Sequence, residues 1–276
     1  MQMVLYDTFM KNFDYTVGGE YSKRGYLKEN HRIFDISSYE NTEFEFHYHE
    51  FHKVIFFFSG CAKYIIEGKP YMLAPGDILI VKQGDIHKPV IDPEQIYSRT
   101  VLWIDSHSLG DFNNCFKKSV LLRSRRNAAI ISVLKALLAE KDEFAAKEMK
   151  ESLYSQIIIM LCRNAMDKNS ALQCCADSNI EKITEYINEH LFEELTIDIL
   201  AEKFFISRYH LMHKFKESTG KTISAYIKTK RLLYAAQLIR EGTPAGGACF
   251  SCGYRDYSVF FKAFKKEFGV PPTDYL

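Results

Sequence analysis

Two periodicities divide this chain. Over roughly the first hundred residues, apolar positions come in short runs broken by turn residues. Phe44-Glu-Phe-His-Tyr-His49 alternates apolar and polar, and Val54 to Phe58 is continuously apolar. Ser59-Gly60 turns the chain into Ala62-Lys-Tyr-Ile-Ile-Glu67. Gly68-Lys69 then precedes Tyr71-Met-Leu73, and Pro75-Gly76-Asp77 precedes Ile78-Leu-Ile-Val81. Val101-Leu-Trp-Ile104 closes the series. Short strands with glycine and proline turns at regular spacing predict an antiparallel sandwich or barrel.

After Phe116 the spacing lengthens to three and four. Ala129 to Leu138 and Phe144 to Met166 predict two helices. The polar stretch from Asp167 to Asn179 predicts a linker, and helices separated by short turns follow. Thr196 is an N-cap candidate, with Ile197, Leu200, Ala201 and Phe204 as the buried stripe of a short helix. Phe205-Ile206 makes a turn, and Ser207 caps a second helix running to about Glu217. Leu211 and Phe215 point inward there, and Met212 is open to either face. Arg208, Tyr209, His213, Lys214 and Lys216 are left outside. A long helix from about Ile223 to Arg240 leads to a second unit, whose last helix runs from about Asp256 to Phe268. Its inner face includes Phe260, Phe261, Phe264 and Phe268. Its outer face includes Tyr257, Ser258, Lys262, Lys265 and Lys266. A short amphipathic helix with a cationic outer face fits a DNA major groove.

Charge sharpens this picture. The 276 residues carry a formal net charge of only +1, but from Lys203 onward thirteen basic residues face five acidic ones. A localised basic segment attracts a phosphate backbone. No run of eighteen apolar residues exists, and the N-terminus lacks the pattern of a signal peptide, so a cytoplasmic protein without membrane contact is expected. The seven cysteines are expected to be reduced thiols. A redox or zinc role is disfavoured both for Cys174-Cys175, which sits in a polar stretch, and for Cys249-x-x-Cys252, which lacks a second metal-ligand pair nearby. No Ser-His-Asp order, P-loop or dinucleotide fingerprint is present, so neither catalytic residues nor a cofactor are expected.

The C-terminal hundred residues resemble the AraC/XylS family of transcriptional regulators. The matching residues are Leu195-Thr-Ile-x-x-Leu-Ala-Glu, Ser207-Arg-Tyr-His-Leu-x-x-x-Phe-Lys, Gly220, Tyr226-Ile, Arg231 and Ala235. They continue with Gly253-Tyr-Arg-Asp-Tyr-Ser-Val-Phe-Phe-Lys-Ala-Phe-Lys-Lys-Glu-Phe-Gly-Val-Pro-Pro-x-Asp-Tyr. The resemblance implies a seven-helix domain with two helix-turn-helix units, whose recognition helices enter successive major grooves about 34 Å apart. Carried over by position, Tyr209, Met212 and His213, then Tyr257, Ser258, Val259 and Lys262, are implied at base edges. Arg208, Lys216, Lys265 and Lys266 are better assigned to phosphates. For the aromatics, helix packing is the competing reading. One departure stands out. The second unit of the family usually opens with apolar-x-Glu-Ile-Ala, where this chain has Ala245-Gly-Gly-Ala-Cys249. Each glycine costs roughly 1 kcal/mol relative to alanine in a helix, so a frayed or short helix is expected here.

The N-terminal part resembles the cupin-type barrel that precedes many such DNA-binding domains. The residues are His47-Tyr-His-Glu-Phe-His52, Ser59-Gly60, Ala74-Pro-Gly-Asp77 and His87. In catalytic cupins a His-x-His pair, a Glu and a later His bind metal; here His47, His49 and His87 match, but Lys53 stands where the Glu is expected. Contact with a polar ligand, sugar-like or carboxylate, competes with structural histidines and, below both, a bound metal, which is not expected. His47, His49, Phe56, Phe58, His87 and Trp103 are the ligand-binding candidates, with Phe44, Phe46 and Tyr64 as further possible walls.

The expected fold class is α+β: an N-terminal antiparallel, cupin-like β-barrel with a helical dimerisation segment, then a C-terminal all-α domain of two helix-turn-helix units. The expected divisions are a sensor barrel over 1–110, dimerisation helices over 111–167, a linker over 168–178 and a DNA-binding domain over 179–276. The implied function is a homodimeric, sequence-specific regulator of the activator type. Its implied partners are double-stranded DNA, a small-molecule effector and RNA polymerase. The alternatives are a metal-dependent cupin enzyme and a constitutive DNA-binding regulator whose barrel only dimerises.

Overall fold

The computed structural model describes residue 27 and residues 30–39, 43–140, 146–167 and 179–275. The linker expected over 168–178, with Cys174-Cys175, lies outside the described residues. The chain divides into two compact units: residues 1–66 with 70–175, and residues 67–69 with 176–276. No helix among the described residues is long and apolar enough to cross a membrane.

The first unit holds eight strands: β1 (His31–Tyr39), β2 (His52–Ser59), β3 (Ala62–Ile66), β4 (Lys69–Met72), β5 (Ile78–Val81), β6 (His87–Ile91), β7 (Ile96–Ile104) and β8 (Val120–Leu122). They form a five-stranded sheet in the order β1-β7-β2-β5-β8 and a three-stranded sheet in the order β4-β3-β6. This is the antiparallel β domain expected from the turn spacing. A 3-10 helix, Ser106–Phe116, and two helices, α1 (Arg126–Ala139) and α2 (Ala146–Met166), complete the unit.

β2 is central, paired antiparallel to both β5 and β7. Its successive side chains point to opposite faces, and both faces are covered. Ile55 and Phe57 join Tyr64, Tyr71, Leu79 and Tyr97 in one apolar cluster, between the two sheets. Val54 and Phe56 join Ile80, Leu134, Ile157 and Leu161 in another, between the large sheet and the helices. Burial on both sides is why Val54–Phe58 reads as an unbroken apolar run instead of an alternating one.

Polar anchors fix the helices on this sheet. Asn164 on α2 donates from Nδ2 to Asn127 Oδ1 on α1 at 2.8 Å. Asn127 Nδ2 in turn donates to the carbonyls of Gly76 and Leu122, each at 2.8 Å. Both amides are buried, and a satisfied buried network of this kind specifies one packing over its alternatives. Nearby, Arg123 Nε donates to the buried Asp77 carboxylate at 2.7 Å, while Asp77 Oδ2 accepts from Ala74 N at 2.7 Å. The Pro75-Gly76-Asp77 turn is thereby tied to the end of β8. Gly76 there has φ of +89°, a conformation that L side chains rarely adopt.

The second unit is helical: α3 (Asn179–Glu189), α4 (Ile197–Lys203), α5 (Arg208–Thr219), α6 (Ile223–Arg240), α7 (Ala245–Ser251) and α8 (Tyr257–Phe268), with a 3-10 turn at Pro272–Asp274. The segment expected to be a frayed or short helix forms a short one, Ala245–Ser251, of seven residues, as long as α4. Its small buried residues, Ala248 and Cys249, pack with Leu232 and Ala236 of α6 and with Phe260 and Phe264 of α8. The two glycines face away from that core, and a Cβ at Gly246 would meet nothing within 4 Å. A Cβ at Gly247 would press on Thr243 Cγ2 at 3.3 Å. Gly246→Ala should therefore stabilise the helical unit by about 1 kcal/mol, and Gly247→Ala by less, as read from urea unfolding midpoints. Equal, negligible shifts for both would contradict this account of α7.

Candidate DNA interface and sensor site

Helices α5 and α8 are built alike. Each has twelve residues. Each begins at a side-chain cap: Ser207 Oγ accepts from His210 N at 3.3 Å, and Asp256 Oδ1 accepts from Val259 N at 2.9 Å. Each ends at a left-handed glycine, Gly220 or Gly269, whose N–H donates to the carbonyl of Lys216 or Lys265 at 2.8 Å. Asp and Ser satisfy the free N–H groups of a first turn, and glycine tolerates positive φ at the end. Counted from the caps, Leu211 and Phe215 of α5 occupy the places of Phe260 and Phe264 of α8, and all four are buried.

The outer faces carry the residues singled out in the sequence. Arg208, Tyr209, Met212, His213 and Lys216 are exposed on α5, with Tyr209 at 77%. Tyr257, Ser258, Val259, Lys262, Lys265 and Lys266 are exposed on α8, with Val259 at 57%. Met212, open to either face in the sequence, lies outside. Arg208 forms an ion pair with Asp198 of α4 across exposed surface. A cavity of about 260 Å³ borders α5, with Tyr209, Met212, His213 and Lys216 on one side and Thr222 to Ser224 on the other. Phe205, in the turn before α5, is 94% exposed with φ of +53°. Its sequence position marked only a turn, and nothing in the hydrophobic pattern indicated an exposed phenylalanine.

In the first unit, backbone pairing gathers three histidines. His47 and His87 exchange two hydrogen bonds, His47 N to His87 O at 3.0 Å and His87 N to His47 O at 2.8 Å. Directly paired residues set their side chains side by side. His49, two residues on, falls on the same face as His47. Ring centroids lie 4.4 Å apart for His47 and His87, 5.0 Å for His47 and His49, and 5.2 Å for His49 and His87. Phe51 stacks on His49 at 4.7 Å and on Trp103 at 4.5 Å. Phe56 and Phe58 do not join this group. They lie on the opposite face of β2, with the core under α1 and α2, because the two-residue alternation of a strand separates them from Lys53, Ile55 and Phe57.

Burial holds these imidazoles neutral. The pKa of His47 is lowered to about 4, first by desolvation and then by Lys53. Those of His49 and His87 are pushed well below 6.5, again mainly by desolvation, with neighbouring His47 and Lys53 adding repulsion. Lys53 therefore does not turn away from the cluster. Desolvation, helped by Arg99, lowers its own pKa to about 7. His52 is also buried, but its Nε2 bonds Asn113 Oδ1 at 2.9 Å and its Nδ1 accepts from Gln83 N at 3.2 Å. It is a structural histidine, lowered to about 4 chiefly by burial.

The comparisons with known proteins match both halves. Residues 35–158 match the family model of an AraC-like ligand binding domain, and residues 200–276 match that of a helix-turn-helix domain. Together the two matches take in most of the chain. The chain belongs to the AraC family of transcriptional regulators. As an AraC-family member it couples a ligand-binding domain to a helix-turn-helix DNA-binding domain. It is 24% identical over 241 residues to the HTH-type transcriptional activator RhaR of Mannheimia succiniciproducens, covering 84% of this chain and 87% of that one. It is 23% identical over 247 residues to the activator RhaS of Escherichia coli O139:H28, with the same coverages. Among solved structures, fatty-acid-bound ToxT from Vibrio cholerae aligns with a TM-score of 0.38 and 19% identity, over 90% of this chain and 96% of that one. The DNA-binding domain of AdpA, in complex with a target DNA, aligns with a TM-score of 0.33 and 24% identity, over 34% of this chain and 86% of that one.

The buried bases of this AraC-family sensor make its stability depend on pH. A histidine whose folded pKa lies below its unfolded value takes up a proton on unfolding, so stability is lost as pH falls from about 6.5 toward 4. Lys53 acts in a higher window: stability rises again from pH 7 toward 10.5 as the unfolded lysine loses its advantage. Urea midpoints in metal-free buffer should climb through both windows. His52→Gln should flatten the lower one by up to roughly 1.4 kcal/mol per pH unit, the linkage of one proton. A midpoint independent of pH between 4.5 and 6.5 would contradict the buried, neutral state.

Proposed function

We propose that α5 and α8 are the two DNA-reading helices of a sequence-specific regulator, and that a small molecule in the N-terminal barrel controls them. The observation that carries this reading is the repeated construction of the two helices, with matched caps, matched buried anchors and two exposed faces rich in aromatic and cationic side chains. Tyr209, Met212 and His213 contact base edges in one groove; Tyr257, Ser258, Val259 and Lys262 contact them in the next. Lys216, Lys265, Lys266 and Arg208 hold phosphates, Arg208 exchanging Asp198 for DNA. The chain acts without catalysis, in the cytoplasm. It works as a homodimer through α1 and α2, whose outer surface exposes Leu138, Met149, Ile159 and Met166. RNA polymerase is the further partner of a regulator that activates. The sensor spans residues 1–110, the dimerisation helices 111–167, the linker 168–178 and the DNA-binding domain 179–276.

The effector is a polar compound, sugar-like or carboxylate, that enters beside His47, His49, His87 and Trp103. The RhaR and RhaS activators are relatives that match over most of their own length. The unsaturated fatty acid bound to ToxT is a ligand of that protein.

A salt series separates the two kinds of contact. Lys265→Ala and Lys266→Ala should each lower the slope of log K against log salt by about 1 and weaken binding to all sequences alike. His213→Ala should leave the slope nearly unchanged and relax preference at one base-pair position, at a cost of about 1–3 kcal/mol. If all three variants bound a selected duplex as the parent chain does, at every salt concentration, this assignment would fail.

A further inference from the structure

We propose that the effector of the N-terminal unit is a hydroxylated carboxylic acid of the sugar-acid type, with its carboxylate on Lys53 beside Arg99 and a hydroxyl on the histidine cluster. The proposal rests on reading this unit as a sensor, and it names the class of compound sensed.

Strand register places three cations on one face. Trp103 of β7 lies between Arg32 of β1 and Lys53 of β2, and Arg99 of β7 lies between Ile36 and Phe57. Residues paired across strands share a face. Phe57 and Val101 put this face in the apolar cluster between the two sheets. The eight strands carry a single carboxylate, Asp35. It is turned to the other face, where it accepts from Thr100 Oγ1 at 2.9 Å. The inward face of the large sheet is therefore cationic.

Lys53 makes no hydrogen bond or ion pair among the described residues. Its Nζ stands 5.9 Å from the centroid of the Tyr64 ring, and Arg99 Cζ stands 3.8 Å from that of Tyr97. The two tyrosine hydroxyls are hydrogen-bonded at 2.9 Å, so the two cations sit over the two rings of one pair. Burying a charge without a counter-charge is costly, and a second cation nearby adds to the cost. Desolvation and Arg99, with no attractive group to offset them, bring the pKa of Lys53 down to about 7. Yet part of the Lys53 surface stays accessible, as does part of Trp103 and Phe34 on the same face. Inward side chains that a water can still reach border an internal space. A cation that faces such a space without a carboxylate fits an anionic guest.

The neighbouring histidines specify the rest of the guest. Lys53 is close enough to lower the pKa of His47, His49 and His87. His47 Nδ1 lies 2.8 Å from the Glu45 carbonyl, and His87 Nδ1 lies 2.9 Å from the Asp85 carbonyl. A carbonyl oxygen only accepts, so both Nδ1 atoms carry the proton and both Nε2 atoms present a lone pair. His87 Nε2 is buried and accepts no hydrogen bond among the described residues. A lone pair repels a carboxylate and accepts from a hydroxyl. A neutral sugar would leave Lys53 unmatched, and a plain acid would leave His87 Nε2 unmatched. A hydroxylated acid satisfies both, and unsatisfied buried polar groups are what a specific site discriminates against.

The test reads the fluorescence of Trp103, the only tryptophan in the chain, in the full-length protein. The probes are gluconate with glucitol, galacturonate with galactose, and galactose 6-phosphate. Each carboxylate should bind saturably and at least tenfold more tightly than its neutral partner. Lys53→Met should weaken both acids at least 30-fold and leave the neutral compounds unchanged. It should also raise the urea midpoint, a gain that misfolding cannot imitate. Neutral partners that bind as tightly as the acids, the sugar phosphate preferred to both carboxylates, or parental acid binding in Lys53→Met would overturn the proposal. A low-molecular-weight cell extract, split on anion-exchange resin and added to a DNA-binding assay, judges the sensor reading separately. A response to the retained half, lost in Lys53→Met, supports the acid. A response to the unretained half alone would overturn the acid and leave the sensor reading standing. A response to neither half would remove both.

Discussion

A twelve-residue helix does not hold its shape alone in water. It must bury an apolar stripe, and that necessity governs the C-terminal unit. Leu211 and Phe215, like Phe260 and Phe264, are buried to completion. With these and Thr219, Ala263 and Phe268 committed inward, most other positions of α5 and α8 are left outward. The caps then set where each helix begins and ends, so the outward residues have fixed places. A reading head for a groove is the by-product of anchoring a short helix well.

The N-terminal unit obeys a different constraint with a similar consequence. β2 is covered on both faces, so each residue on it is assigned to one of two interiors by parity alone. Lys53 is thereby held inside near the histidines, while Phe56 and Phe58 are drawn to the helices. The same alternation, with the direct pairing of His47 and His87, makes a cluster out of three residues spread over forty positions of sequence. Three residues apart, His52 has both nitrogens satisfied while His49 Nδ1 is buried without a hydrogen bond.

Much of this is legible in the sequence. The caps Thr196, Ser207 and Asp256, the buried anchors of α4, α5 and α8, and the exposure of the cationic positions all follow from local spacing. They are local effects, and a sequence displays local effects directly. The histidine cluster is visible as a motif, but its tautomers and unpaired nitrogens depend on carbonyls supplied by the fold. Phe56 and Phe58 fall on the face opposite to the one expected because an unbroken apolar run hides its own parity. The expectation of a frayed or short helix at the glycine pair rests on helix propensity, and the helix that forms, Ala245–Ser251, is a short one. Its tertiary contacts are not legible there: Ala248, Cys249 and Cys252 are buried with residues of α6 and α8, and the two glycines lie outside that contact.

The claim on which the account turns is that α5 and α8 engage one duplex together. Selection of bound sequences from random duplexes with the full chain, followed by hydroxyl-radical footprinting of the selected DNA, tests it most directly. The account requires two protected segments on one face of the helix, about one turn apart, with protection of one lost when α8 alone is altered. A single protected segment that survives any change to α8, or no preferred sequence at all at low salt, would contradict it.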